Sequence, residues 1–337
     1  MRLMVTGGAG YIGAHVVVEL LGRGHEVVVV DDLRAGDGEA VARAQAIAGR
    51  SCAFHRLDVA NVPAMRKVLR GVDVVVHLAA DKLVDDSMAR PERTFHNNLG
   101  GLTGLARAMA DAGVTRLVYS SSAAVYGAQT RMPIAEDAPL VPDSPYGCSK
   151  LQGEQILDWI ARRRGWSVVS LRYFNPVGAH PSGRIGQPLA SAAALVPRAL
   201  LAVAGRGPPL TVFGDDYPTP DGTCLRDYIH VSDLARAHSV ALAGLAEPGH
   251  EIYNVGTGRT YSVREVLAAC ARATGRAVPV VMGARRPGDI VTSVADPSRF
   301  RAATGFEAKH GLDEMVTAAW RWCTLCPDGY GQGRKAG

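Results

Sequence analysis

Residues 2–13 read RLMVTGGAGYIG, and this stretch decides the fold. Arg2–Thr6 has the apolar character of a short buried strand, and Tyr11–Leu21 has the pattern of a helix. Three glycines lie at the junction of the two elements: Gly7, Gly10 and Gly13. Glycines there allow a tight turn and a close approach of the backbone to a pyrophosphate, which the free N–H groups of the helix N-terminus attract. The spacing is G-x-x-G-x-x-G rather than G-x-G-x-x-G, and it still indicates a dinucleotide-binding loop.

The second predicted strand, Glu26–Val30, ends in Asp31 and Asp32. A carboxylate at this position can accept hydrogen bonds from the ribose of adenosine and would repel a 2′-phosphate. The sequence therefore predicts NAD rather than NADP, although the nearby Arg34 offsets part of that repulsion. A glycine-rich turn without a ligand would not need the carboxylate.

Strands and helices alternate through the first half of the chain. Apolar runs at Ala53–Leu57, Val72–Leu78 and Arg116–Ser120 are separated by helical stretches near Pro63–Arg70 and Pro91–Ala112. This alternation predicts an α/β fold, a doubly wound parallel sheet of Rossmann type with a smaller C-terminal substrate-binding lobe. Ligands of such sheets bind outside the carboxyl ends of the strands. The residues that follow the strands should line that crevice: Asp58, Val59, Leu78, Ala79, Ala80, Ser120, Ser121 and Ser122.

The second half of the 337-residue chain is richer in Pro, Gly and Asp. We expect an NAD-binding Rossmann domain at 1–175 and a lobe at 176–326 that mainly binds the substrate, with some segments returning to the sheet. Helices are predicted near Leu195–Ala204, Val231–Leu245 and Val263–Thr274. The tail, 327–337, is expected to be disordered.

The composition argues against several classes of protein. There is no apolar run long enough to span a bilayer, and a core strand follows Met1 at once, so we expect no signal peptide. Six scattered cysteines suit a reduced, cytoplasmic protein. Cys323 and Cys326 form a C-x-x-C without a second Cys/His pair, so no metal site is predicted. The net charge of +5 is mild, and neither a nucleic acid nor a membrane is an expected partner.

The second informative motif is Tyr146-Gly147-Cys148-Ser149-Lys150. Tyr146 and Lys150 begin a predicted helix and lie on one face of it. A phenol with a pKa of about 10 is a poor base at neutral pH. The Lys150 ammonium and a positive nicotinamide would stabilise the phenolate and lower its pKa. Ser122 could bond the same substrate oxygen. A lone Y-x-x-x-K is usually a surface pair, but the dinucleotide loop and the serine-rich strand end favour a catalytic set.

Together these motifs resemble the extended short-chain dehydrogenase/reductase family, and most closely its UDP-glucose/UDP-galactose 4-epimerases. The resemblance covers Arg2 to about Trp322. Its most specific stretches are Gly7–His15, Ser120–Gly127, Ser144–Lys150, Arg172–Gly183 and Phe213–Asp233. It implies NAD-dependent 4-epimerisation of a nucleotide-sugar: the C4 hydride passes to NAD, the 4-keto sugar turns over, and the hydride returns to its other face. UDP-glucose and UDP-galactose are the implied substrates, with their 2-acetamido forms as further candidates.

The resemblance also implies roles for individual residues. Ser122, Tyr146 and Lys150 would be catalytic, with Tyr146 as base and acid. NAD would be bound by Gly7, Gly10, Tyr11, Ile12, Gly13, Asp31, Asp32, Leu33, Asp58, Val59, Leu78, Ala79, Ala80, Lys82, Asn98, Ser120, Tyr146, Lys150 and Tyr173. The nucleotide-sugar would be held by Lys82, Ser122, Tyr146, Asn175, Leu195, Thr211, Phe213, Arg226, Arg286, Asp289 and Ser293. Members of the family are commonly homodimers, here through the helices Pro91–Ala112 and Ser149–Arg164.

Departures from the family pattern leave the substrate open. Ala193-Ala194-Leu195 stands where Asn-Asn-Leu is usual, so one diphosphate contact is lost or replaced. Ser293 stands where bacterial relatives often have tyrosine, which leaves room for a bulkier sugar. Another NAD-dependent nucleotide-sugar epimerase or dehydrogenase therefore remains an alternative.

Two other classes are disfavoured. Nucleotide-sugar 4,6-dehydratases carry an Asp-Glu pair where this chain has Ala123 and Ala124, neither of which can transfer a proton. A non-catalytic NAD-binding sensor would not need the Ser122, Tyr146 and Lys150 set.

Overall fold

The computed structural model describes residues 1–188, 193–286 and 288–331. Its strands are β1 (Arg2–Thr6), β2 (Glu26–Asp31), β3 (Ala53–Arg56), β4 (Val74–His77), β5 (Arg116–Ser120), β6 (Ser167–Tyr173), β7 (Asn175–Val177), β8 (Leu210–Phe213), β9 (Leu225–Arg226), β10 (Tyr228–His230), β11 (Gly249–Val255), β12 (Tyr261–Ser262), β13 (Val280–Gly283) and β14 (Thr292–Ser293). Its α-helices are α1 (Tyr11–Gly22), α2 (Gly38–Ala48), α3 (Val62–Val68), α4 (Val84–Ala89), α5 (Pro91–Phe95), α6 (Gly101–Ala112), α7 (Pro145–Arg164), α8 (Leu195–Val203), α9 (Val231–Val240), α10 (Val263–Thr274), α11 (Ser298–Thr304) and α12 (Leu312–Leu325).

Seven strands form a parallel sheet in the order β11-β6-β5-β4-β1-β2-β3. Strands β2 and β4 consist mainly of valine because both faces of a parallel sheet are covered. The chain order reverses at β1, which lies between β2 and β4. A crevice opens outside the carboxyl ends of the strands at such a switch point. The predicted doubly wound α/β class is confirmed.

Two apolar layers fix this sheet. Leu3 and Val5 belong to the core on one face, while Met4 of the same strand belongs to the core on the other face. This alternation follows from the pleat, which points successive side chains to opposite sides. Helix α1 packs on the first face and helices α3 and α6 on the second. The carboxyl edge is therefore held between two close-packed layers.

Several element boundaries differ from those predicted. The stretch Pro91–Ala112 is interrupted by a π-helical turn at His96–Gly100, where the backbone takes a wider turn before α6 begins. Strand β6 begins two residues after Gly165, which ends α7 in the left-handed conformation, but the sequence analysis did not identify this strand. Strand β11 pairs with β6 along its whole length, so the far end of the sheet comes from residues 249–255.

The region after Asn175 also contains three small sheets. Strand β8 pairs with β13, β10 pairs with β7, and β9 lies between β12 and β14. Helices α8, α10 and α12 share an apolar core. The prediction of a disordered tail is wrong for 327–331, because Tyr330 is buried and donates a hydrogen bond to the carbonyl of Gly186 (2.9 Å). Residues 332–337 lie outside the described residues.

Candidate active site

The loop after β1 requires glycine at two positions. Gly7 has a φ of +70°, and a Cβ there would lie 2.7 Å from the backbone nitrogen of Ala79. A Cβ on Gly13 would lie 2.1 Å from the carbonyl oxygen of Gly7. Two of the three predicted glycines are thus needed so that β1, α1 and the end of β4 can pack closely.

Helix α1 has an uncapped N-terminus. Its N-cap is Gly10, and within the described structure no side chain caps it and its first turn contains no acidic residue. By contrast, side chains cap α2 (Asp37), α3 (Asn61), α7 (Ser144) and α10 (Ser262). The first N–H groups of a helix need acceptors, and an anion such as a pyrophosphate satisfies them. The residues present therefore fit the phosphates of a dinucleotide.

Asp31 and Arg34 lie at the neighbouring strand end. The buried Asp31 carboxylate accepts N–H bonds from Ala9 (3.0 Å) and Leu33 (2.8 Å), and burial raises its pKa. A carboxylate offers about four acceptor sites, so sites remain for ribose hydroxyls. Arg34 forms an ion pair with Asp32 and lies 3.7 Å from Asp58. Its charge is thus offset by carboxylates of the same edge.

The other predicted NAD residues lie around the same edge. The backbone N–H of Leu78 bonds to β1, and Ala79 packs against Gly7, with Ala80 following. Lys82 is exposed, yet enough protein surrounds its ammonium group to lower its pKa by desolvation. The Asn98 amide binds the backbone of Asp81 through both its oxygen (2.8 Å) and its nitrogen (3.0 Å) and also contacts Ser149, so it orders the Lys82 loop.

Val59, Tyr11 and Ile12 pack in the core next to the same edge of the sheet. Val59 is buried and lies next to Gly101 at the start of α6. Tyr11 is also buried, and its hydroxyl donates to the carbonyl of Gly178 (2.7 Å), which joins α1 to the segment after β7. Ile12 packs on the core face of α1.

Tyr146, Lys150 and Ser122 converge at the carboxyl end of β5. Pro145 and the N-cap Ser144 start α7 immediately before Tyr146. Tyr146 is 8% exposed and forms a side-chain hydrogen bond with Ser122. Lys150 is 3% exposed, and its Nζ lies 5.9 Å from the centre of the Tyr146 ring. The structure therefore brings all three predicted catalytic side chains together.

The electrostatics of this set differ from the expectation. Burial raises the pKa of Tyr146, while the bond with Ser122 opposes that rise by a smaller amount. The expected lowering by Lys150 is not found, because its ammonium donates to the Ser120 carbonyl (2.8 Å) and is itself desolvated, which lowers the Lys150 pKa to about 8. A positive group bound next to the phenol would supply the further stabilisation that a phenolate needs.

Tyr173 is held by a buried chain that the sequence analysis missed. His238 Nδ1 bonds to the carbonyl of Leu234 (2.9 Å), so this nitrogen carries the proton and Nε2 accepts. Nε2 lies 2.8 Å from Ser120 Oγ, which also forms a hydrogen bond with the Tyr173 phenol. Ser120 must then donate to His238 and accept from Tyr173. Burial raises the pKa of the Tyr173 phenol well above its ordinary value.

A buried ion pair near the catalytic set was also missed. Glu154 and Arg172 are 3% and 2% exposed and form an ion pair with a closest distance of 2.6 Å. Glu154 lies four residues after Lys150 on the same helix face, and this spacing is the one signal that could have identified it.

The predicted substrate residues lie on the small sheets. Arg286 lies over the ring of Phe213, 4.5 Å from its centre, and its Nε contacts Asp289 (3.2 Å). Thr211 is two residues before Phe213 in β8. An aromatic ring and a guanidinium together can bind a base and a phosphate.

A second group of predicted substrate residues surrounds β9. Strand β14 pairs with β9, so Ser293 lies beside Arg226. The Arg226 guanidinium donates to the carbonyls of Leu225 (2.9 Å) and Val291 (3.5 Å). The Asn175 amide donates to the Asp227 carbonyl (2.7 Å). Leu195 is half-buried at the start of α8, whose preceding residue Ala194 provides no side-chain cap.

Comparison with known protein families identifies the family of this chain. The family described as "NAD dependent epimerase/dehydratase family" matches residues 3–256. The chain belongs to this family. Within the described residues, this epimerase/dehydratase chain has neither a cluster of side chains suited to a metal ion nor a helix long and apolar enough to cross a membrane.

Relatives of this family member are similar over their whole length. The UDP-glucose 4-epimerase of Bacillus subtilis is 46% identical over 98% of this chain and 99% of its own. A UDP-glucose 4-epimerase structure from Stenotrophomonas maltophila, with bound NAD and formylated UDP-arabinopyranose, is 43% identical with a TM-score of 0.94, covering 97% of this chain and 99% of the other. The UDP-Glc/GlcNAc 4-epimerase of Campylobacter jejuni is 34% identical with a TM-score of 0.85, covering 96% and 99%.

Proposed function

We propose that this protein is an NAD-dependent UDP-glucose 4-epimerase, which interconverts UDP-glucose and UDP-galactose. The observation that carries the proposal is the convergence of Ser122, Tyr146 and Lys150 at the carboxyl edge of the sheet, beside the glycine loop. Full-length similarity to UDP-glucose 4-epimerases supports the same conclusion.

NAD fits the site through the uncapped N-terminus of α1, the two obligatory glycines and Asp31. When bound, it supplies a hydride acceptor and donor at the sugar C4. Asp31 would hold the adenosine ribose, and Arg34 is engaged by Asp32 and Asp58, so a 2′-phosphate would find carboxylates rather than a free cation. This arrangement favours NAD over NADP.

Tyr146 would take the proton of the sugar 4-hydroxyl and return it to the 4-keto oxygen. Ser122 would bond the same oxygen, because it already bonds the Tyr146 phenol. The Lys150 ammonium, together with the positive charge of a bound nicotinamide, would stabilise the phenolate, and it would also bind a ribose hydroxyl. Tyr173, whose pKa is raised by burial, would not compete as a base.

The nucleotide-sugar would lie across the small sheets. Phe213 would flank the base, and Arg226 and Arg286 would bind the diphosphate, with Asn175 and Asp289 completing the site. Ser293 would line the far wall of the sugar pocket next to Arg226, and its small volume favours acceptance of 2-acetamido sugars. Elimination is disfavoured because Ala123 and Ala124, in a short helical turn capped by Ser122, carry no group that can transfer a proton.

We also propose a homodimer in the cytoplasm, with NAD bound mainly by 1–175 and the sugar mainly by 176–326. Trp159 on α7 is 61% exposed, and a second copy would cover this apolar surface through the helices around Pro91–Ala112 and Ser149–Arg164. All six cysteines are unpaired, as in a reducing compartment. Light scattering of the wild type and Trp159→Glu would test the dimer.

The activity is tested with the purified protein and UDP-glucose, without added cofactor. NMR should show UDP-galactose approaching a constant ratio, and mass spectrometry should find NAD released on denaturation. A 4-keto-6-deoxy product would instead identify a dehydratase. Accumulation of free NADH with an oxidised sugar would identify a dehydrogenase.

A further inference from the structure

Three consecutive serines at the end of β5 each have a different partner. Ser120 accepts the Lys150 ammonium on its carbonyl (2.8 Å), and Ser122 bonds Tyr146. Ser121, between them, is fully buried, and its hydroxyl donates to Glu154 of α7. Glu154, which has no part in the proposed reaction, therefore holds the backbone between Ser120 and Ser122 in place through Ser121.

Glu154 is itself held rigidly. Arg172 donates to it from Nε (2.9 Å to Oε1) and from Nη2 (2.6 Å to Oε2), in the forked geometry that suits a carboxylate. The remaining nitrogen of Arg172 donates to the Tyr126 hydroxyl (3.0 Å) and to the Glu136 carbonyl (3.1 Å). A buried ion pair with all its hydrogen bonds made keeps both charges in place.

Lys150 faces few groups that can balance its charge. Tyr146 lies one turn before it on α7, the ring of Tyr119 on β5 is 4.9 Å from its Nζ, and His77 on β4 is buried and kept neutral, with its pKa lowered to about 3 by burial and then by Lys150. Glu154, one turn after it, is the anionic group that acts on it among the described residues. Burial lowers the pKa of Lys150 to about 8, and Glu154 opposes that fall.

We propose that Glu154 is a positioning residue of the active site: its carboxylate fixes the serine run through Ser121 and places a negative charge one helical turn from Lys150. Since Lys150 matters only if Tyr146 is the base, this inference rests on the proposed function. Loss of the Glu154 charge makes the lysine lose its proton at lower pH, and the Tyr146 phenolate then loses its electrostatic support.

A direct titration tests the charge without any turnover. The whole sequence contains five lysines, so 13C labelling at lysine Cε gives few signals: Lys67, Lys82, Lys150, Lys309 and Lys335. Lys150→Arg assigns the signal of interest. In Glu154→Gln the Lys150 titration should move down by about one pH unit or more. Asp158→Asn, which removes a half-buried carboxylate one turn further along α7, should leave the Lys150 titration unchanged.

A double variant separates the loss of the Glu154 charge from the loss of folding stability. Glu154→Gln leaves Arg172 unpaired and destabilises the fold, whereas Glu154→Gln with Arg172→Gln removes both buried charges and should restore stability. If the proposal holds, the double variant keeps the lowered Lys150 titration, and the alkaline limb of its kcat profile moves to lower pH. Ser121→Ala should lower kcat without moving that limb.

A Lys150 titration that stays in place in the double variant overturns the proposal, even if activity falls. A wild type that does not epimerise UDP-glucose overturns the proposed function instead, whatever the titration shows. The two failures are therefore distinguishable.

Discussion

The reaction edge (Gly7–Gly13, Ser120–Ser122 and Tyr146–Lys150) and the proposed recognition lobe (β8, β9, residues 284–286 and residues 288–293) are built in different ways. In the reaction edge, the Tyr146 and Lys150 side chains are almost fully buried, at 8% and 3% exposure. In the recognition lobe, the Arg286 side chain is 57% exposed and lies on the ring of Phe213. The first region is held by the seven-stranded sheet, the second by short strand pairs.

Under the proposed function, this difference corresponds to different tasks for the two regions. Proton transfer needs fixed distances and desolvated charges, which buried side chains between packed layers provide. A nucleotide-sugar whose sugar ring must turn over in the site has to stay bound while the side chains around it allow it to move. An exposed arginine on an aromatic ring can follow the ligand. Substitutions at the reaction edge should therefore affect kcat and folding, and those in the recognition lobe should affect KM and specificity.

The largest effect is expected from Tyr146→Phe. The phenyl ring keeps the packing, but the proton acceptor is lost, so kcat should fall by ~10²–10⁴-fold. Bound NAD and thermal stability should remain near the wild-type values, as measured by mass spectrometry and calorimetry. Near-wild-type kcat would show that another group is the base.

A glycine pair in α1 tests how tightly the reaction edge is packed. In Gly13→Ala the new Cβ meets the Gly7 carbonyl at 2.1 Å, so we expect a loss of ~1–3 kcal/mol in the free energy of unfolding and weaker NAD binding. Gly22→Ala, at the other end of the helix, meets no described atom within 4 Å and should be neutral or gain up to ~1 kcal/mol. Equal effects in urea unfolding would contradict close packing at the loop.

Ser293→Tyr tests the recognition lobe. The added ring should fill the space beside Arg226, at a cost of ~1–3 kcal/mol for UDP-N-acetylglucosamine and much less for UDP-glucose. The ratio of kcat/KM values for the two sugars measures this. Thr292→Tyr, one position earlier in β14, is the matched control for the register. Equal losses for both sugars, or a parent enzyme inactive on the acetamido sugar, would refute the pocket assignment.

The last prediction concerns a buried histidine that contacts Ser120 of the reaction edge. Burial lowers the pKa of His238 to about 4, below its unfolded value of about 6.5. Its contribution to stability is therefore complete above pH 6.5 and is lost as the pH falls towards 4. His238→Gln should reduce the slope of unfolding free energy in this window by ~1.4 kcal/mol per pH unit. The exposed His55→Gln should leave the slope unchanged, and equal slopes in both variants would contradict this prediction.

The sequence predicted the residues of the reaction edge better than the buried residues that hold them in place. The glycine spacing, Asp31 and the Tyr146–Lys150 interval depend on neighbours in the chain, so they could be recognised by inspection. Glu154 and Arg172 pair across 18 residues, and His238 reaches Ser120 across 118. Such contacts depend on how β5, β6 and α9 pack, which no local pattern reveals.

The pKa of Tyr146 illustrates the same limit. The interval of four residues predicted that Lys150 would lower it, but the interval does not reveal that both groups are desolvated and that the ammonium donates to the Ser120 carbonyl. In the recognition lobe, the pairing of β14 with β9 joins residues 67 positions apart. The placement of Ser293 beside Arg226 could therefore not be predicted from the spacing of residues along the sequence.

The central claim is that the reaction edge returns to the sugar the hydride that it removes. UDP-glucose deuterated at C4 tests this most directly, with the product analysed by NMR in ordinary water. The account predicts UDP-galactose that retains its C4 deuterium, since a closed, redox-neutral site exchanges nothing at that carbon with solvent. Loss of the deuterium to water would contradict it.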